Sequence, residues 1–452
     1  MSVLIALAQV ATLVVSILFV QYVVAILVPY LRRKPSRTAD PDRFAWHFLV
    51  PARDEEVVIG TTIRRLRSDL PLAHVWVIDD ASEDATAAIV EGFARDDDRV
   101  HLVRRVLPEA RTGKGDALNA AFRLIEDHLP ADVDANRVII GVVDADGHLD
   151  PDCLPVLAGP AGFAARKVGG VQIEVRMRNV EEVTPLPHRG RVLNYLARQL
   201  VRMQDLEFRT VIAAIQHSRH YTGTVGLGGN GQFARLSALR DIDRGEGRPW
   251  RGSLLEDFEL GLHLLLAGWS NVFVQDTWVS QEGLFNLRRF LTQRTRWGQG
   301  VLQCARYWPE VNMSRHYSAL GVVETSYFLL QPWTTVVLSL LFPLPMVLIG
   351  YGVLTDPAVH DWFVSAGVWY LAIYYVVGCL PYVIWGPIYR RRCAPEASWL
   401  AGLGWGLAYL IYTYGYYVTT WRAFFRILTG RSGWAKTRRN AEADTTFVAR
   451  EA

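Results

Sequence analysis

The sequence has little cysteine and almost no excess of charge of either sign. Its four cysteines, Cys153, Cys304, Cys379 and Cys393, form no CxxC pair. Their spacing argues against a disulfide framework or a zinc site and is typical of a protein in a reducing cytosol. Lys and Arg number 48 against 45 Asp and Glu, for a net charge of +3. A balance this close argues against a nucleic acid as partner through its phosphate backbone.

Long parts of the sequence contain no charged side chain. Residues 1–31 lack Asp, Glu, Lys and Arg, and the basic stretch "LRRK" follows. Because about 20 apolar residues cross the hydrocarbon core of a bilayer, this run predicts a transmembrane helix, and it is too long for the core of a signal peptide. Further uncharged runs that could span a bilayer occur at 325–355, 363–389 and 397–421.

The distribution of charge predicts four parts. We expect an N-terminal transmembrane helix over 1–31, a cytoplasmic domain over 32–316 with interfacial helices near 286–316, a bundle of about three spans over 317–428, and a basic tail over 429–452. The basic flank of the first run predicts that the large domain lies on the cytoplasmic side of the membrane. We therefore expect a multi-pass protein of the plasma membrane, with the lipid bilayer as a partner.

The basic residues near the C-terminus conflict with this topology. A fourth crossing would place Arg422, Arg426 and Arg431 outside, against the positive-inside rule. The sequence is compatible with three explanations: the glycine-rich stretch "AGLGWGLAY" is re-entrant, a segment near 317–335 lies in the interface, or the rule fails here.

The large domain alternates between strand and helix patterns. Near-continuous apolar strands separated by helices predict a mostly parallel sheet covered on both faces, and such sheets bind ligands at the carboxyl ends of their strands. The strands are predicted at 46–52, 74–80, 99–103, 137–146 and 168–175, and the helices at 57–69, 83–94 and 115–128.

Acidic residues stand at the ends of two predicted strands. Asp144 and Asp146, in "VVDADG", can bind a divalent cation through hard oxygens, although Asp also favours the bend at such a junction. His148 is either a further ligand or a solvated turn residue. Asp80, in "VIDDASEDAT", can hydrogen-bond a nucleotide, or can cap the next helix as Ser82 can.

The stretch "RTGKGDALN" is similar to a phosphate-binding loop. Gly115 follows Lys114, whereas a Walker loop needs Ser or Thr at that position. Lys114 can still contact a phosphate as a point charge, and a surface lysine is an equal alternative.

An amphipathic helix is predicted in "GSLLEDFELGLHLLLAGW". Ser253 and Glu256 have the spacing of a capping box, which gives Glu256 a structural role and leaves Asp257 available. A carboxylate in the first turn is kept ionised by the helix N-terminus, so Asp257 is a candidate general base. The alternative is a second acid that only favours the helix dipole.

The stretch "TQRTRWGQG" contains Gln293, Arg296 and Trp297. Arginine can bind phosphate oxygens in a bidentate manner, and a tryptophan face can stack on a sugar ring. The alternative is an anchor at the membrane interface, where Trp and Arg are both favoured. Arg294 is assigned to the helix face or to a lipid headgroup.

In this order, the motifs resemble those of membrane-integrated, processive family 2 glycosyltransferases, a group that includes cellulose, hyaluronan, chitin and poly-N-acetylglucosamine synthases. The resemblance covers 48–297. It rests on "PARDEE" (51–56), "DD" (79–80), "GKGDALN" (113–119), "DAD" (144–146), "ED" (256–257) and Q-x-x-R-W (293–297).

The resemblance implies an α/β GT-A (Rossmann-like) catalytic domain joined to an α-helical transmembrane bundle. It also implies Mg²⁺ or Mn²⁺, a glycan acceptor and a nucleotide-sugar donor, a UDP-sugar in preference to a GDP-sugar. The resemblance assigns donor binding to Ala52, Glu55, Asp80, Lys114 and Asp144, and metal binding to Asp144 and Asp146. It assigns binding of the diphosphate and the acceptor to Gln293, Arg296 and Trp297. Asp257 takes the place of the general base. Leu255 replaces the family's usual Thr, and the segment 226–239 departs in detail from the family's acceptor pocket, so the sugar is not predicted.

The predicted function is an inverting hexosyl- or N-acetylhexosaminyltransferase that extends a β-linked polysaccharide and secretes it through its own membrane bundle. The alternative is a non-processive transferase acting on a lipid such as polyisoprenyl phosphate or diacylglycerol. A transporter is disfavoured because the uncharged runs lack ionisable residues, apart from Glu324 at an edge. Five aromatic residues are candidates for a glycan path or for membrane packing: Trp333, Tyr370, Trp385, Trp405 and Tyr409.

Overall fold

The computed structural model of the protein describes residues 2–341 and 344–431. A long helix, α1 (Ser2–Arg32), precedes an α/β domain. The first half of that domain alternates strictly between strand and helix: β1 (Ala45–Ala52), α2 (Ile59–Asp69), β2 (Ala73–Asp80), α3 (Thr86–Asp96), β3 (Val100–Arg105), α4 (Lys114–His128) and β4 (Val138–Val142).

The second half of the domain is less regular. A π-helical segment, Glu207–Ile212, joins two of its helices into one continuous stretch. The elements are β5 (His148–Leu149), α5 (Cys153–Ala158), β6 (Val168–Met177), α6 (Arg191–Leu206), α7 (Ala213–Thr222), β7 (Gln232–Arg235), α8 (Leu236–Asp243), α9 (Glu256–Leu266) and β8 (Ser270–Gln281).

All eight strands form one sheet in the order β3-β2-β1-β4-β7-β6-β8-β5. Strands β3, β2, β1 and β4 are parallel neighbours, as the sequence predicted. The short strand β7 is antiparallel to both β4 and β6, and it connects the parallel half to the parallel pair β6–β8. The carboxyl ends of β1, β2 and β4 therefore lie together at one edge.

Successive side chains of the central strands pack into two different cores. In β1, Phe48 and Val50 pack into one buried cluster and Leu49 packs into the other. The same alternation occurs in β2, where Val77 and Ile78 belong to different clusters. Because side chains alternate between the two faces of a strand, both faces of the sheet are covered, which explains the near-continuous apolar runs in the sequence.

Helices follow the sheet to the end of the described chain. They are α10 (Leu287–Cys304), α11 (Trp308–Met313), α12 (Ala319–Leu341), α13 (Leu344–Thr355), α14 (Pro357–Trp362), α15 (Val368–Val383), α16 (Trp385–Cys393) and α17 (Trp399–Leu428). Within residues 2–341 and 344–431, no helix has both the length and the sustained hydropathy needed to cross a bilayer. The transmembrane spans stay predictions, and most of the predicted basic tail, including the end of "GRSGWAKTRR", lies outside the described residues.

Helix α17 lies along the surface of the α/β domain. The guanidinium of Arg202 in α6 is 4.8 Å from the ring of Trp405, Tyr412 donates a hydrogen bond to Glu207, and Arg426 donates one to Gln299. The contacting residues of α17 lie up to 21 positions apart, or about 30 Å of helix. Because both ends of α17 contact the same domain, its basic residues Arg422 and Arg426 need not lie on the far side of a membrane.

Candidate active site

A cavity of about 720 Å³ opens at the carboxyl ends of β1, β2 and β4. This is the position expected for a ligand site in a sheet of this kind. The cavity is lined by every site residue predicted from the sequence except Asp146, namely Ala52, Glu55, Asp80, Lys114, Asp144, Asp257, Gln293, Arg296 and Trp297. Residues up to 245 positions apart in the chain therefore share one cavity, although their individual roles stay predictions.

Lys114 occupies the centre of the polar part of the cavity lining. As the first residue of α4, it donates hydrogen bonds from Nζ to Asp144 Oδ1 at 2.8 Å and to the carbonyl of Gly229 at 3.0 Å. Glu256 Oε1 lies 3.7 Å away. Burial opposes the charge on Lys114, but the carboxylates of Asp144 and Glu256 raise its pKa above the ordinary value. Lys114 is a fixed cation in the cavity and not a surface lysine.

Asp257 is buried beside this cation. Burial raises the pKa of Asp257 to about 7, and the neighbouring carboxylate of Glu256 acts in the same direction. Lys114 and the backbone N–H of Phe258, which donates to Oδ1 at 2.6 Å, lower the pKa. The sequence predicted that the helix N-terminus keeps this carboxylate ionised, and it left out the opposing effect of burial. A pKa near neutrality suits a general base.

The capping box predicted before α9 is not formed. Helix α9 begins at Glu256 with Leu255 at the N-cap and without a side-chain cap. The backbone N–H of Ser253 instead donates to Glu259 Oε2 at 2.9 Å. Glu256 lines the cavity near Lys114. The sequence therefore missed one of the three carboxylates that act on Lys114, because a local capping pattern gave Glu256 a different role.

Asp80 and Glu55 lie at the edge where a nucleotide was predicted to bind. Asp80 Oδ1 accepts hydrogen bonds from the side chain of Arg105 and from the backbone N–H of Arg111, the latter at 3.0 Å. Helix α3 has Ala85 at its N-cap, so the alternative that Asp80 caps that helix is wrong. The backbone N–H of Glu55 donates to the Thr86 hydroxyl at 2.8 Å, which fixes the loop after β1 against α3.

Asp144 and Asp146 are separated by the turn that follows β4. The Asp144 side chain is 31% exposed and borders the cavity. Asp146 is buried, and its Oδ2 accepts from the backbone N–H of Glu282 at 3.1 Å. The two carboxylates offer the hard oxygens that Mg²⁺ and Mn²⁺ prefer, so the residues fit the predicted cofactor. His148 lies against the guanidinium of Arg178, with Nε2 at 3.2 Å.

A glycine-rich segment, 226–230, forms the floor between Lys114 and the sheet. Gln172 in β6 holds it from one side: its Nε2 donates to the carbonyl of Asn230 at 3.0 Å, and its Oε1 accepts from the N–H of Gly228 at 2.7 Å. Asn230 Oδ1 accepts from the N–H of Asp144 at 3.1 Å, which links the segment to the acidic turn. The sequence singled out this segment, but no local pattern could reveal Gln172 as its partner.

Arg294 is a buried structural cation and not a surface or headgroup contact. Its two terminal nitrogens donate to Glu207 Oε1 at 3.0 Å and Oε2 at 2.6 Å. The hydroxyls of Tyr412 and Tyr416 in α17 also donate to Glu207. The Arg294 guanidinium lies 4.2 Å from the centre of the Trp297 ring, so it covers part of that indole. This network joins α10, the π-helical segment and α17.

Aromatic side chains of three helices form a further wall of the cavity: Phe19 and Tyr22 of α1, Tyr327 and Phe328 of α12, and Tyr409 of α17. The ion pair between Arg219 Nε and Glu324 Oε1, at 2.9 Å, joins α7 to α12 beside this wall.

Of the five aromatic residues proposed for a glycan path, Tyr409 lines the cavity. Trp333 packs on Phe424, Trp385 is buried against Tyr30, and Trp405 lies under Arg202. The side chain of Tyr370 is outside the described part of the structure. Packing therefore accounts for Trp333, Trp385 and Trp405.

Known proteins match the α/β domain. The family described as "Glycosyltransferase like family 2" matches residues 43–300. The β-monoglucosyldiacylglycerol synthase of Trichormus variabilis is 31% identical over 275 residues, which cover 59% of this chain and 51% of that protein. The synthase of the same name from Synechocystis sp. is 28% identical over 260 residues, covering 56% and 47%. This chain thus spans about half the length of these curated relatives.

A solved structure supports the fold. The mannosyltransferase from Pyrobaculum calidifontis, in complex with GDP-Man and Mn²⁺, has a TM-score of 0.53 at 15% sequence identity, covering 90% of this chain and 98% of that one. At this identity the likeness concerns the fold alone. With the family match over more than half of its residues, the chain belongs to glycosyltransferase family 2, and its α/β domain has a GT-A-like fold.

Proposed function

We propose that the protein is an inverting glycosyltransferase that moves a hexose from a nucleotide sugar to the hydroxyl of a membrane lipid of the diacylglycerol type. The observation that carries the proposal is the mixed lining of one cavity. Lys114, Asp144 and Asp257 line it together with an aromatic wall that includes Phe19 and Phe328. A ligand with a polar head and an aliphatic tail matches both parts of this lining.

The environment of Asp257 favours an alcohol as the nucleophile. A lipid hydroxyl is a poor nucleophile until its proton is removed, and a buried carboxylate with a pKa of about 7 can accept that proton. A polyisoprenyl phosphate is already ionised at neutral pH and has less need of a base. Attack of the lipid oxygen on the anomeric carbon, with loss of the nucleoside diphosphate, is one displacement and inverts the configuration.

The diphosphate leaves from the side of the cavity that holds fixed positive charge. Lys114 is oriented by Asp144 and the carbonyl of Gly229 before any substrate binds, so it needs no reorganisation during the reaction. Arg296 in α10 lines the same cavity. A divalent ion held by Asp144 and Asp146 would supply further neutralisation of the diphosphate.

The exterior of the helices fits a membrane surface. Helix α17 turns Tyr409, Tyr412 and Tyr416 towards the protein, and exposes a stripe at helical spacing on its other side: Leu407, Ile411, Tyr414, Val418 and Phe425. Helix α1 likewise exposes large apolar side chains: Val10, Leu13, Val14, Ile17 and Leu18. Apolar patches of this kind mark contact with lipid or another apolar partner. A lipid acceptor could then enter the cavity at its aromatic wall from the bilayer.

The names of the matched relatives support this proposal. The two relatives from Trichormus variabilis and Synechocystis sp. are both named as β-monoglucosyldiacylglycerol synthases. We therefore expect a glucosyl donor and a diacylglycerol acceptor as the first pair to test.

The test is acceptor-dependent turnover by the purified protein in vesicles. Nucleoside diphosphate release would be measured with a panel of UDP- and GDP-hexoses, with Mg²⁺ or Mn²⁺, in vesicles with and without diacylglycerol. We expect release with a UDP-hexose to require the lipid alcohol. Release that is unaffected by the lipid, or that needs a polyisoprenyl phosphate instead, would contradict the proposal.

A processive polysaccharide synthase is the second candidate. Gln293, Arg296 and Trp297 of the Q-x-x-R-W motif all line the cavity, and a motif of this kind suits a sugar acceptor. The Arg294 guanidinium already covers part of the Trp297 ring, which reduces the surface left for stacking. The two candidates differ in product, because a synthase makes a polymer and a lipid transferase adds one sugar to each acceptor.

A further inference from the structure

Three histidines meet at the end of the sheet opposite the cavity. His74 lies near the start of β2, His101 near the start of β3, and His128 is the last residue of α4. One ring nitrogen of each lies within 4.8 Å of the other two. Asp80, at the cavity end of β2, is six residues beyond His74, or about 20 Å along the strand. This histidine cluster, His74, His101 and His128, is therefore separate from the candidate active site.

The spacing of the nitrogens fits a shared metal ion. His74 Nδ1 and His101 Nε2 are 3.0 Å apart. Two nitrogens bound to one tetrahedral Zn²⁺ at ~2.0–2.1 Å lie about 3.3 Å apart. A hydrogen bond between the two rings also explains the pair, but it does not account for the third nitrogen, that of His128, beside them.

Neighbouring rings hold the cluster in place. The His101 ring stacks on Trp76 with 4.0 Å between centroids, and the His74 ring stacks on His47 at 5.0 Å. Trp76 Nε1 donates to His47 Nδ1 at 3.1 Å, which fixes that supporting pair. Fixed ring planes lower the cost of organising ligands around an ion.

Two guanidinium groups also lie near the cluster, and each has a partner of its own. Arg67 is paired with Asp97 at 2.7 Å, and Arg99 donates to a backbone carbonyl.

We propose that the histidine cluster binds a divalent transition-metal ion of the Zn²⁺ type through three imidazole nitrogens, with the remaining position open to water. Imidazole suits Zn²⁺, Ni²⁺ and Cu²⁺, whereas Mg²⁺ and Mn²⁺ prefer oxygen, so this site differs in chemistry from the pair Asp144 and Asp146. A bound ion would join β2, β3 and α4.

The proposal is tested by titrating the full-length protein with Zn²⁺, and with Co²⁺ as a spectroscopic probe, in excess Mg²⁺ to keep the carboxylate pair occupied. His128→Gln is the main variant because His128 is exposed, and His101→Gln is the second. His316→Gln, at an exposed histidine elsewhere, is the matched control.

We expect one ion per chain at this site in the wild type and in His316→Gln, with a rise in Tm on adding Zn²⁺. Removal of a group that only orients a metal ligand typically weakens metal binding by ~10–100-fold. Removal of a ligand itself in either cluster variant should weaken Zn²⁺ binding by at least that much and should abolish the rise in Tm. Wild-type affinity and Tm response in His128→Gln, or no saturable binding in the wild type, would overturn the proposal.

Discussion

At the scale of single residues, the proposed reaction depends on Asp257, which we propose accepts the proton of the lipid hydroxyl. Asp257→Asn keeps the shape of the side chain and removes the base. We expect transfer to fall by about 10²–10⁴-fold, because this is the usual contribution of general base catalysis, while the affinity for the nucleoside diphosphate changes little. Transfer rates and calorimetric binding of UDP would be measured together.

The control for this substitution is Asp127→Asn, at an exposed aspartate near the end of α4. That variant should retain wild-type transfer. Full activity of Asp257→Asn would show that another group accepts the proton, and loss of UDP binding would show that the substitution disturbs the donor site instead.

The raised pKa of Asp257 predicts the pH dependence of the reaction. Asp257 acts only when deprotonated, so kcat/KM should rise with pH and level off above a pKa near 7. The negative charge of Glu256 adds to the effect of burial on the pKa of Asp257, so in Glu256→Gln the rising limb should move to lower pH. An unmoved limb in Glu256→Gln would contradict this role of Glu256.

At the scale of elements, the glycine-rich segment 226–230 fits closely against the reacting groups. A Cβ at position 229 would lie 3.0 Å from Asp257 Oδ2 and 3.1 Å from Lys114 Nζ. A Cβ at position 228 would meet Gln172 at an ordinary 3.5 Å. We expect Gly229→Ala to lower kcat by about tenfold or more through displacement of the base, since small misplacements are costly. Gly228→Ala should lower kcat much less. Equal losses of kcat in the two variants would contradict the close fit of Gly229 against Asp257 and Lys114.

The ion pair between Arg294 and Glu207 joins α10 to the π-helical segment. Both side chains are at most 6% exposed, so Glu207→Gln leaves a buried cation poorly compensated. We expect Glu207→Gln to lower the free energy of unfolding by about 3–5 kcal/mol, and the double variant Glu207→Gln with Arg294→Met to recover part of that loss. Urea denaturation measures the two variants.

The control is Glu91→Gln, in an exposed pair with Arg104, which should lower the free energy of unfolding by under about 0.5 kcal/mol. Equal losses in Glu207→Gln and Glu91→Gln would contradict this account of the buried pair.

Much of the first half of the sheet could be predicted from the sequence. The strands β1, β2 and β3 lie within two residues of their predicted bounds, because buried parallel strands form long apolar runs. Strand β4 ends at Val142 and not at 146, since the acids that follow belong to a turn. The four residues of β7 were missed because they follow a glycine-rich stretch and pair only with distant strands.

At the scale of the whole molecule, the ordered motifs predicted which residues share the cavity, but not their partners. The contacts of Gln172 with Asn230, and of Glu207 with Arg294 and Tyr412, join residues far apart in the chain. Rules based on neighbouring residues in the sequence also failed where burial has the largest effect. Neither the capping pattern nor the helix dipole predicts the raised pKa of the buried Asp257.

The most direct test of the central claim, transfer of one sugar to a lipid hydroxyl, is the mass of the product. Purified protein in diacylglycerol vesicles would be given a labelled UDP-hexose, and the products would be resolved by mass spectrometry. The account predicts a lipid carrying a single β-linked hexose, absent with Asp257→Asn. A high-mass polysaccharide without attached lipid would contradict it.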